Sequence, residues 1–416
     1  MIYFAGGAKV TFAPPVLLPL FSRFFHKNMI KHIKASNLLS FGPDGLDLEL
    51  QNLNVLIGAN GSGKSNFLEI FEVLRSLPKG KEDNNVERLI SESGGFSEWV
   101  WKGAKSQSGT STDLEITLKE NKELTMKHRF SLDLIRYQYG YSLPALIYGE
   151  SIESVFEKQE ETVIHFKDNA FRDDASGEMV SSERYNPYSV LSRNEGSYPI
   201  RILEEEYQSI RLYREWSFGR KTALRNPQRA DMRNDRLEAD FSNLGMFLSR
   251  LRKDSPTKRA LITALQELYE GITDFEVIAV AGTVQIFLNE GDFSIPATRL
   301  SDGTLRYLCL VALLLDPTPP PLICIEEPEL GLHPDIIPKI ADLLVDASKR
   351  TQLIVTTHSD ILIDALSEQP ESVLVCEKEN GQTHIKRLNQ NDLAHWLKDY
   401  RLGSLWLSGE IGGKRW

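Results

Sequence analysis

The chain has 416 residues, 41% hydrophobic and 25% charged, with 48 Lys plus Arg against 58 Asp plus Glu and a formal net charge of −10. At roughly 100 to 200 residues per domain, this allows two or three domains with a sizeable core, which excludes disordered and fibrous classes. No uncharged apolar run reaches the roughly 18 residues that span a bilayer, so no membrane span is predicted. The acidic balance excludes a chain coated in nucleic-acid-binding surface but leaves room for a local basic stripe.

Residues 1–28 contain no Asp or Glu, three prolines and an apolar run, Val16 to Leu20. A secretory signal needs a basic start, an unbroken apolar centre and a small-residue cleavage site. Here Lys9 is the only early positive charge, Pro14, Pro15 and Pro19 break the apolar run, and no A-x-A follows. The segment reads instead as a flexible extension, with the folded chain starting at Met29. Cys309, Cys324 and Cys376 sit in apolar stretches without a C-x-x-C pair, as core thiols of a cytoplasmic protein would.

From Met29, Ile30, Ile33 and Ala35 lead into the turn Asn37 to Gly42. Leu46, Leu48 and Leu50 then alternate as a half-buried strand does. A buried strand, Leu53 to Ile57, runs into Gly58-Ala59-Asn60-Gly61-Ser62-Gly63-Lys64-Ser65, and Asn66 to Leu74 continues as a helix. Strand, glycine loop and helix satisfy G-x-x-x-x-G-K-[ST] in its required context. The chemistry needs this order. Glycines let backbone N–H groups converge on a triphosphate, the helix N-terminus adds a positive dipole end, Lys64 neutralises β and γ oxygens, and the Ser65 hydroxyl ligates Mg²⁺. The bland alternative is a glycine turn before a helix.

The span 85–290 lacks a heptad run, being broken at Gly94-Gly95, Gly140, Pro144, Gly177, Pro187, Pro199 and Pro227. Leu114 to Leu118, Leu124 to Leu132, Ile135 to Tyr141 and Ala145 to Ile152 alternate like antiparallel strands. Asp168 to Ser197, rich in Asp, Ser, Asn and Gly, reads as a long surface loop. Helices are expected around Asn243 to Leu251 and Lys258 to Tyr269, and strands at Phe275 to Ala281 and Val284 to Leu288.

Leu300-Ser301-Asp302-Gly303-Thr304 precedes an apolar helix, Leu305 to Leu315, so Ser301 falls at an N-cap. Taken alone that is a helix cap. Leu322 to Ile325 is a buried strand ending in Glu326-Glu327-Pro328-Glu329, where adjacent carboxylates point to different sides. One suits a water of Mg²⁺ and the other the attacking water; the alternative is a solvated acidic turn. Glu329-Leu330-Gly331-Leu332-His333-Pro334 then opens a helix, Asp335 to Leu344. A last buried strand, Gln352 to Thr357, delivers His358-Ser359 one crossover later, and the helix Asp360 to Leu366 follows. That position can reach a γ-phosphate, although a histidine there can also be purely structural.

The set Gly58 to Ser65, Leu300 to Thr304, Ile323 to Glu327, Glu329 to Pro334 and His358 resembles the ATP-binding-cassette type of P-loop ATPase, in its RecF-like and SMC-like branch. Within that branch it is most similar to compact bacterial AAA-family ATPases with Glu-Glu-Pro-Glu at Walker B, some of which serve in antiphage defence. The resemblance covers about Met29 to Leu77 and Arg299 to Leu366, with weaker likeness at Tyr213 to Trp216, Asp240 to Leu244 and Leu402 to Gly413. It implies an α/β fold, a two-lobed head with a mixed β N-lobe and a parallel-sheet core, without a long coiled coil. The head is expected from 29–84, carrying Walker A, and 291–416, carrying signature, Walker B and His switch, with 85–290 inserted.

The resemblance further implies ATP and Mg²⁺ as cofactors, and a homodimer formed on ATP binding. Carried over to matching positions, Gly58, Asn60, Gly61, Ser62, Gly63, Lys64, Ser65 and Asn66 bind nucleotide, and Ser301 with Gly303 reaches the γ-phosphate across the dimer. Ser65 and Glu326 hold the metal, Glu327 is the general base and His358 the γ-phosphate sensor. This chain departs from the wider pattern in having Glu for Asp at the first Walker B acid and Ser-Asp-Gly-Thr for Ser-Gly-Gly-Gln in the signature. The longer carboxylate still suits a metal and implies slow turnover. Gln107 is the single glutamine between Ser65 and Gly109, where such ATPases carry a metal-contacting glutamine.

A transport subunit is disfavoured by the long span between Lys64 and Ser301, and a built-in nuclease by a tail without D-x-D or H-x-x-x-H clusters. For a duplex DNA partner the local signal is Arg220, Lys221, Arg225, Arg229, Arg233 and Arg236, with Arg250, Arg252, Lys253, Lys258 and Arg259 beyond. Asp231, Asp235, Glu238 and Asp240 interleave, so a solvated face is the favoured reading and nucleic-acid contact the alternative. Two functions stay open: a hydrolysing DNA-associated switch or clamp, and a low-turnover regulatory subunit controlling a separately encoded effector such as a nuclease.

Overall fold

The computed structural model describes residues 30–80, 85–103, 112–119, 124–133, 146–156, 159–167, 170–173, 179–181, 188–192 and 198–413. The 1–28 extension, Gln107 and the strand expected at Ile135 to Tyr141 lie outside the described residues.

Strands β1 (Ile30–Ser36) and β2 (Leu46–Glu49) form an antiparallel pair, and β2 alternates buried leucines with exposed acids. Strand β3 (Leu53–Ile57), buried at all five positions, enters the core sheet and leaves it through the glycine loop into α1 (Lys64–Ser76). After α2 (Val86–Glu92) and α3 (Phe96–Trp99) come β4 (Thr112–Lys119), β5 (Leu124–Asp133), β6 (Leu146–Phe156), β7 (Gln159–Lys167), β8 (Ala170–Asp173) and β9 (Met179–Ser181). They extend the first pair into an eight-stranded antiparallel sheet, β2-β1-β4-β5-β6-β7-β8-β9. The stretch Asp168 to Ser197, expected as a loop, therefore contains β8, β9 and a short 3-10 turn, Val190–Ser192. Strands of three and four residues pair through their backbones and are too short for apolar alternation to be read, and the polar residues around them dominate the stretch.

Helix α4 (Tyr198–Ser209) carries Pro199 in its first turn, where the missing N–H removes no helical bond. It leads into β10 (Arg211–Tyr213). Next come β11 (Gln228–Arg229), α5 (Leu244–Lys253), α6 (Ser255–Leu268), β12 (Ile272–Val280), β13 (Thr283–Glu290) and β14 (Phe293–Pro296). Their strands form a separate four-stranded antiparallel sheet. The last third runs α7 (Asp302–Leu314), β15 (Leu322–Glu326), α8 (Ile337–Ala347), β16 (Gln352–Thr356), α9 (Asp360–Ala365), β17 (Val373–Glu379), β18 (Gln382–Arg387), α10 (Gln390–Leu393) and α11 (Leu402–Ser408). The helix expected from Asp335 starts later, because Pro334–Ile336 is a 3-10 turn before α8.

The core sheet has the order β10-β15-β16-β3-β17-β18, parallel throughout except for β18. Side-chain alternation divides it between two hydrophobic clusters. Val55, Ile323, Ile325, Leu353 and Val355 face α5 to α9, while Leu56, Cys324, Ile354 and Leu374 face α1, α4 and the eight-stranded sheet. Because β4 pairs with β1 and β10 with β15, strands from 85–290 join sheets begun on either side of that stretch. Among the described residues the longest helix, α6, has 14 residues, and no helix is long and apolar enough to cross a membrane. The three cysteines are buried thiols.

Candidate functional site

The carboxyl ends of β3, β15 and β16 share one edge of the core sheet, where ligands of open α/β sheets bind. The glycine loop leaves β3 at that edge. A Cβ on Gly58 would lie 2.3 Å from the Cys376 carbonyl oxygen and 2.8 Å from Ser62 Oγ, and one on Gly63 would lie 2.2 Å from Thr383 Oγ1, so both positions require glycine. Gly61, at φ 76°, has open space beside it, and Asn60 is exposed. Lys64 Nζ donates to the Gly58 and Ala59 carbonyls at 2.8 and 3.0 Å, and burial lowers its pKa from the ordinary value. Asn66 Nδ2 donates to Ser40 Oγ at 2.8 Å, while Thr383 Oγ1, 2.7 Å from the same hydroxyl, donates to the Ser62 carbonyl at 2.9 Å. Those bonds tie the loop to the β1–β2 turn and to β18.

Ser65 Oγ donates to Glu326 Oε1 at 2.5 Å, joining the start of α1 to the end of β15. The next residue, Glu327, adopts φ 46°, a left-handed backbone that costs a non-glycine residue about 1–3 kcal/mol and marks functional positions. Its N–H donates to the Thr356 carbonyl at 3.0 Å, and its Oε1 lies 3.5 Å from His358 Nε2. Half-buried Glu329 accepts at Oε1 from Thr357 Oγ1 at 2.7 Å and from the His358 N–H at 2.8 Å, and burial raises its pKa. The acidic turn and the histidine turn are thus fixed to each other by a side chain and a backbone bond.

Sequence reasoning passed over the side chains that support this edge. Parallel register sets Tyr213 beside Ile325, which carries Arg214 to the level of Glu326. Arg214 Nε donates to Glu326 Oε2 at 2.9 Å and its Nη1 to Glu69 at 2.6 Å. Burial alone would lower the guanidinium's pKa, but Glu69 and Glu326 hold it above the ordinary value. Trp216 Nε1 donates to the Glu326 carbonyl at 2.7 Å. The Arg306 guanidinium packs over the Trp216 and Phe218 rings at 4.9 and 5.3 Å. A readable signal existed in the run Tyr213-Arg214-Glu215-Trp216, but its carboxylate and carbonyl partners on Glu326 and Glu69 lie more than a hundred residues away along the chain.

Ser301 and Gly303 are not joined to the glycine loop by any described bond. Ser301 is exposed and caps α7, accepting from the Thr304 N–H at 3.0 Å, and a Cβ on Gly303 would lie 3.3 Å from the Gly331 carbonyl. Buried Arg225 fastens this turn. It donates to the carbonyls of Phe218 at 2.7 Å, Ala297 at 3.2 Å and Leu300 at 2.6 Å, and pairs with Asp302. The basic run is largely internally paired: Arg229 with Asp231, Arg233 with Asp235, Arg250 with Asp316, and Arg252 and Lys258 with Asp274. Among the described residues Arg220, Lys221, Arg236, Lys253 and Arg259 carry no ion pair.

Comparison with known proteins adds the family. The family model described as "AAA domain, putative AbiEii toxin, Type IV TA system" matches residues 53–364. The chain belongs to this AAA family. The matched span opens at β3 and closes in α9, so it contains every motif named above. Among solved structures, an SMC head bound to the C-winged helix domain of ScpA is 14% identical, covers 88% of this chain and 99% of its own, and has a TM-score of 0.52. An Smc head with an extended coiled coil, bound to the C-terminal domain of ScpA from Pyrococcus furiosus, is 12% identical, covers 89% and 99%, and has a TM-score of 0.49. No curated protein matches significantly. The first likeness shows the fold of an ABC-type head, and this AAA-family chain is an ABC/SMC-like P-loop ATPase.

Such ATPases generally bind ATP with Mg²⁺, and the residues fit both groups. Ser62 Oγ is buried in the glycine loop without a partner, a donor that a phosphate oxygen would satisfy. The glycine cradle leaves its backbone open to that anion. Ser65 Oγ and the Glu326 carboxylate supply the hard oxygen donors that Mg²⁺ takes.

Proposed function

We propose that the chain hydrolyses ATP in a head-to-head homodimer and acts as a nucleotide-driven switch or clamp in DNA-related processes, repair or antiphage defence, in the cytoplasm. The observation that carries this reading is the convergence of Lys64, Ser65, Glu326, Glu327 and His358 on one sheet edge, with Glu327 held in a strained backbone beside His358. Loop N–H groups from Gly58 to Asn66 and the Lys64 amine bind and orient the triphosphate. Mg²⁺, held by Ser65 and Glu326, would neutralise phosphate charge. Glu327 accepts the proton of the attacking water at its carboxylate, and His358 reads the γ-phosphate. Ser301 and Gly303 of a second copy complete the site; the exposed Ser301 turn supports that role. The head in this reading combines 29–84 with 291–416, and 85–290 is inserted between them.

The second reading, a low-turnover subunit that controls a separate effector, is favoured by the paired basic run. Six of its eleven cations are paired within the chain, which leaves less charge for phosphates. Steady-state ATP hydrolysis with and without duplex DNA, with Lys64→Ala as the blank, separates the two. DNA stimulation supports the clamp; DNA-indifferent turnover supports the effector subunit; turnover equal to the blank removes both hydrolytic readings.

A further inference from the structure

Glu326 has one methylene more than the aspartate usual at its position, and so one more torsion through which its carboxylate can swing away from Ser65. Its two oxygens are nevertheless both engaged. Oε1 accepts from Ser65 Oγ at 2.5 Å and Oε2 from Arg214 Nε at 2.9 Å. Arg214 is itself anchored, through Nη1, to Glu69 at 2.6 Å. Glu69 stands one helical turn beyond Ser65 on α1, so Ser65, Glu326, Arg214 and Glu69 close a ring between the helix and the strand. The planar guanidinium suits this task because its donors sit at fixed angles and bind two carboxylates in one plane.

We propose that Arg214 is a positioning residue for the metal site: it holds the outer oxygen of Glu326 so that the inner oxygen stays at Ser65, where Mg²⁺ binds. Glu69 supplies the countercharge. Two carboxylates against one guanidinium leave the ring net negative, so the arginine fixes geometry without turning the site cationic. The arrangement explains how a chain with glutamate at Walker B keeps a defined metal site. It rests on the reading of Glu326 as the metal-holding carboxylate.

The test is ATP binding by calorimetry, in Mg²⁺ and in EDTA, for the wild type, Arg214→Gln, Arg214→Lys, Glu69→Gln and Glu326→Ala. Loss of an orienting side chain behind a metal ligand costs about tenfold or more in metal affinity. Arg214→Gln is therefore expected to lose about tenfold of the Mg²⁺-dependent gain in ATP affinity, with binding in EDTA within about twofold of wild type. Arg214→Lys should recover part of the gain, and Glu69→Gln should show a smaller loss in the same direction; Glu69→Gln also serves if Arg214→Gln does not fold. An unchanged Mg²⁺ gain in Arg214→Gln and Glu69→Gln, a larger gain, or an equal loss of binding in EDTA overturns the proposal. If Glu326→Ala keeps the full Mg²⁺ gain, the metal assignment of Glu326 fails, and the proposal with it. If the wild type binds no ATP, the ATPase reading itself fails.

Discussion

Glu327 has a backbone angle that favours glycine and a side chain that glycine lacks. At φ 46° this backbone costs about 1–3 kcal/mol, retained beside His358 at the end of β15. Glu327→Gln is expected to lower hydrolysis at least about 100-fold, the usual contribution of a general base, with ATP binding preserved. Glu327→Gly removes the Cβ penalty and is expected to melt no lower than wild type while losing hydrolysis equally, which thermal unfolding beside a turnover assay checks. A Glu327→Gln variant with normal turnover would assign the base elsewhere. At this scale the sequence was most legible where chemistry demands a local pattern: Gly58 to Ser65 and Glu326-Glu327 are contiguous, and their spacing carries the meaning. Arg214, Glu69 and Arg225 were not legible, because each acts through a partner supplied by another strand or helix.

Among the elements, the segment from β10 to Arg225 binds the Walker B end of the core sheet to the signature helix. Arg214 and Trp216 hold Glu326, and Arg306 of α7 packs on Trp216 and Phe218. Arg225 then ties the Phe218 carbonyl to those of Ala297 and Leu300. Arg225→Met would leave buried carbonyls unpaired at a cost of about 1–3 kcal/mol each. The expected outcome is a lower melting temperature and hydrolysis reduced about tenfold, with nucleotide affinity at Lys64 unchanged. An unaltered rate would detach the signature turn from this support. In the antiparallel sheet, fully buried His128 lies 2.9 Å from Glu150 Oε1 and 3.2 Å from Tyr207 Oη. Glu150 also accepts from Ser189 Oγ at 2.5 Å and the Val190 N–H at 2.9 Å. Glu150→Ala should destabilise by about 3 kcal/mol in denaturant unfolding without changing ATP affinity. Strands with apolar alternation, such as β2, β4 and β13, could be read from sequence. Strand β10, three residues long, and the short strands β8 and β9 could not, since pairing alone defines them.

For the whole molecule, the α/β ABC-type architecture was implied by the resemblance that the ordered motifs carry, and the core sheet has the parallel strands which that resemblance led us to expect. The basic run was not legible in its function: charges adjacent in sequence left open whether they met solvent, phosphate or each other, and the structure gives most of them carboxylate partners. In the clamp reading any phosphate contact falls on unpaired exposed cations such as Arg220, Lys221, Lys253 and Arg259, and duplex DNA is expected to stimulate hydrolysis at low salt and less at high salt; a change below about twofold would favour the effector-controlling reading. The central claim is that one chain holds half of each ATP site. It is tested most directly by the mass in solution of Glu327→Gln, measured by size-exclusion chromatography with light scattering. The account predicts a monomer without nucleotide and a dimer with ATP and Mg²⁺, with the dimer lost when Lys64→Ala or Ser301→Arg is added. A mass that ignores ATP, or an ATP-dependent dimer that survives Ser301→Arg, would contradict it.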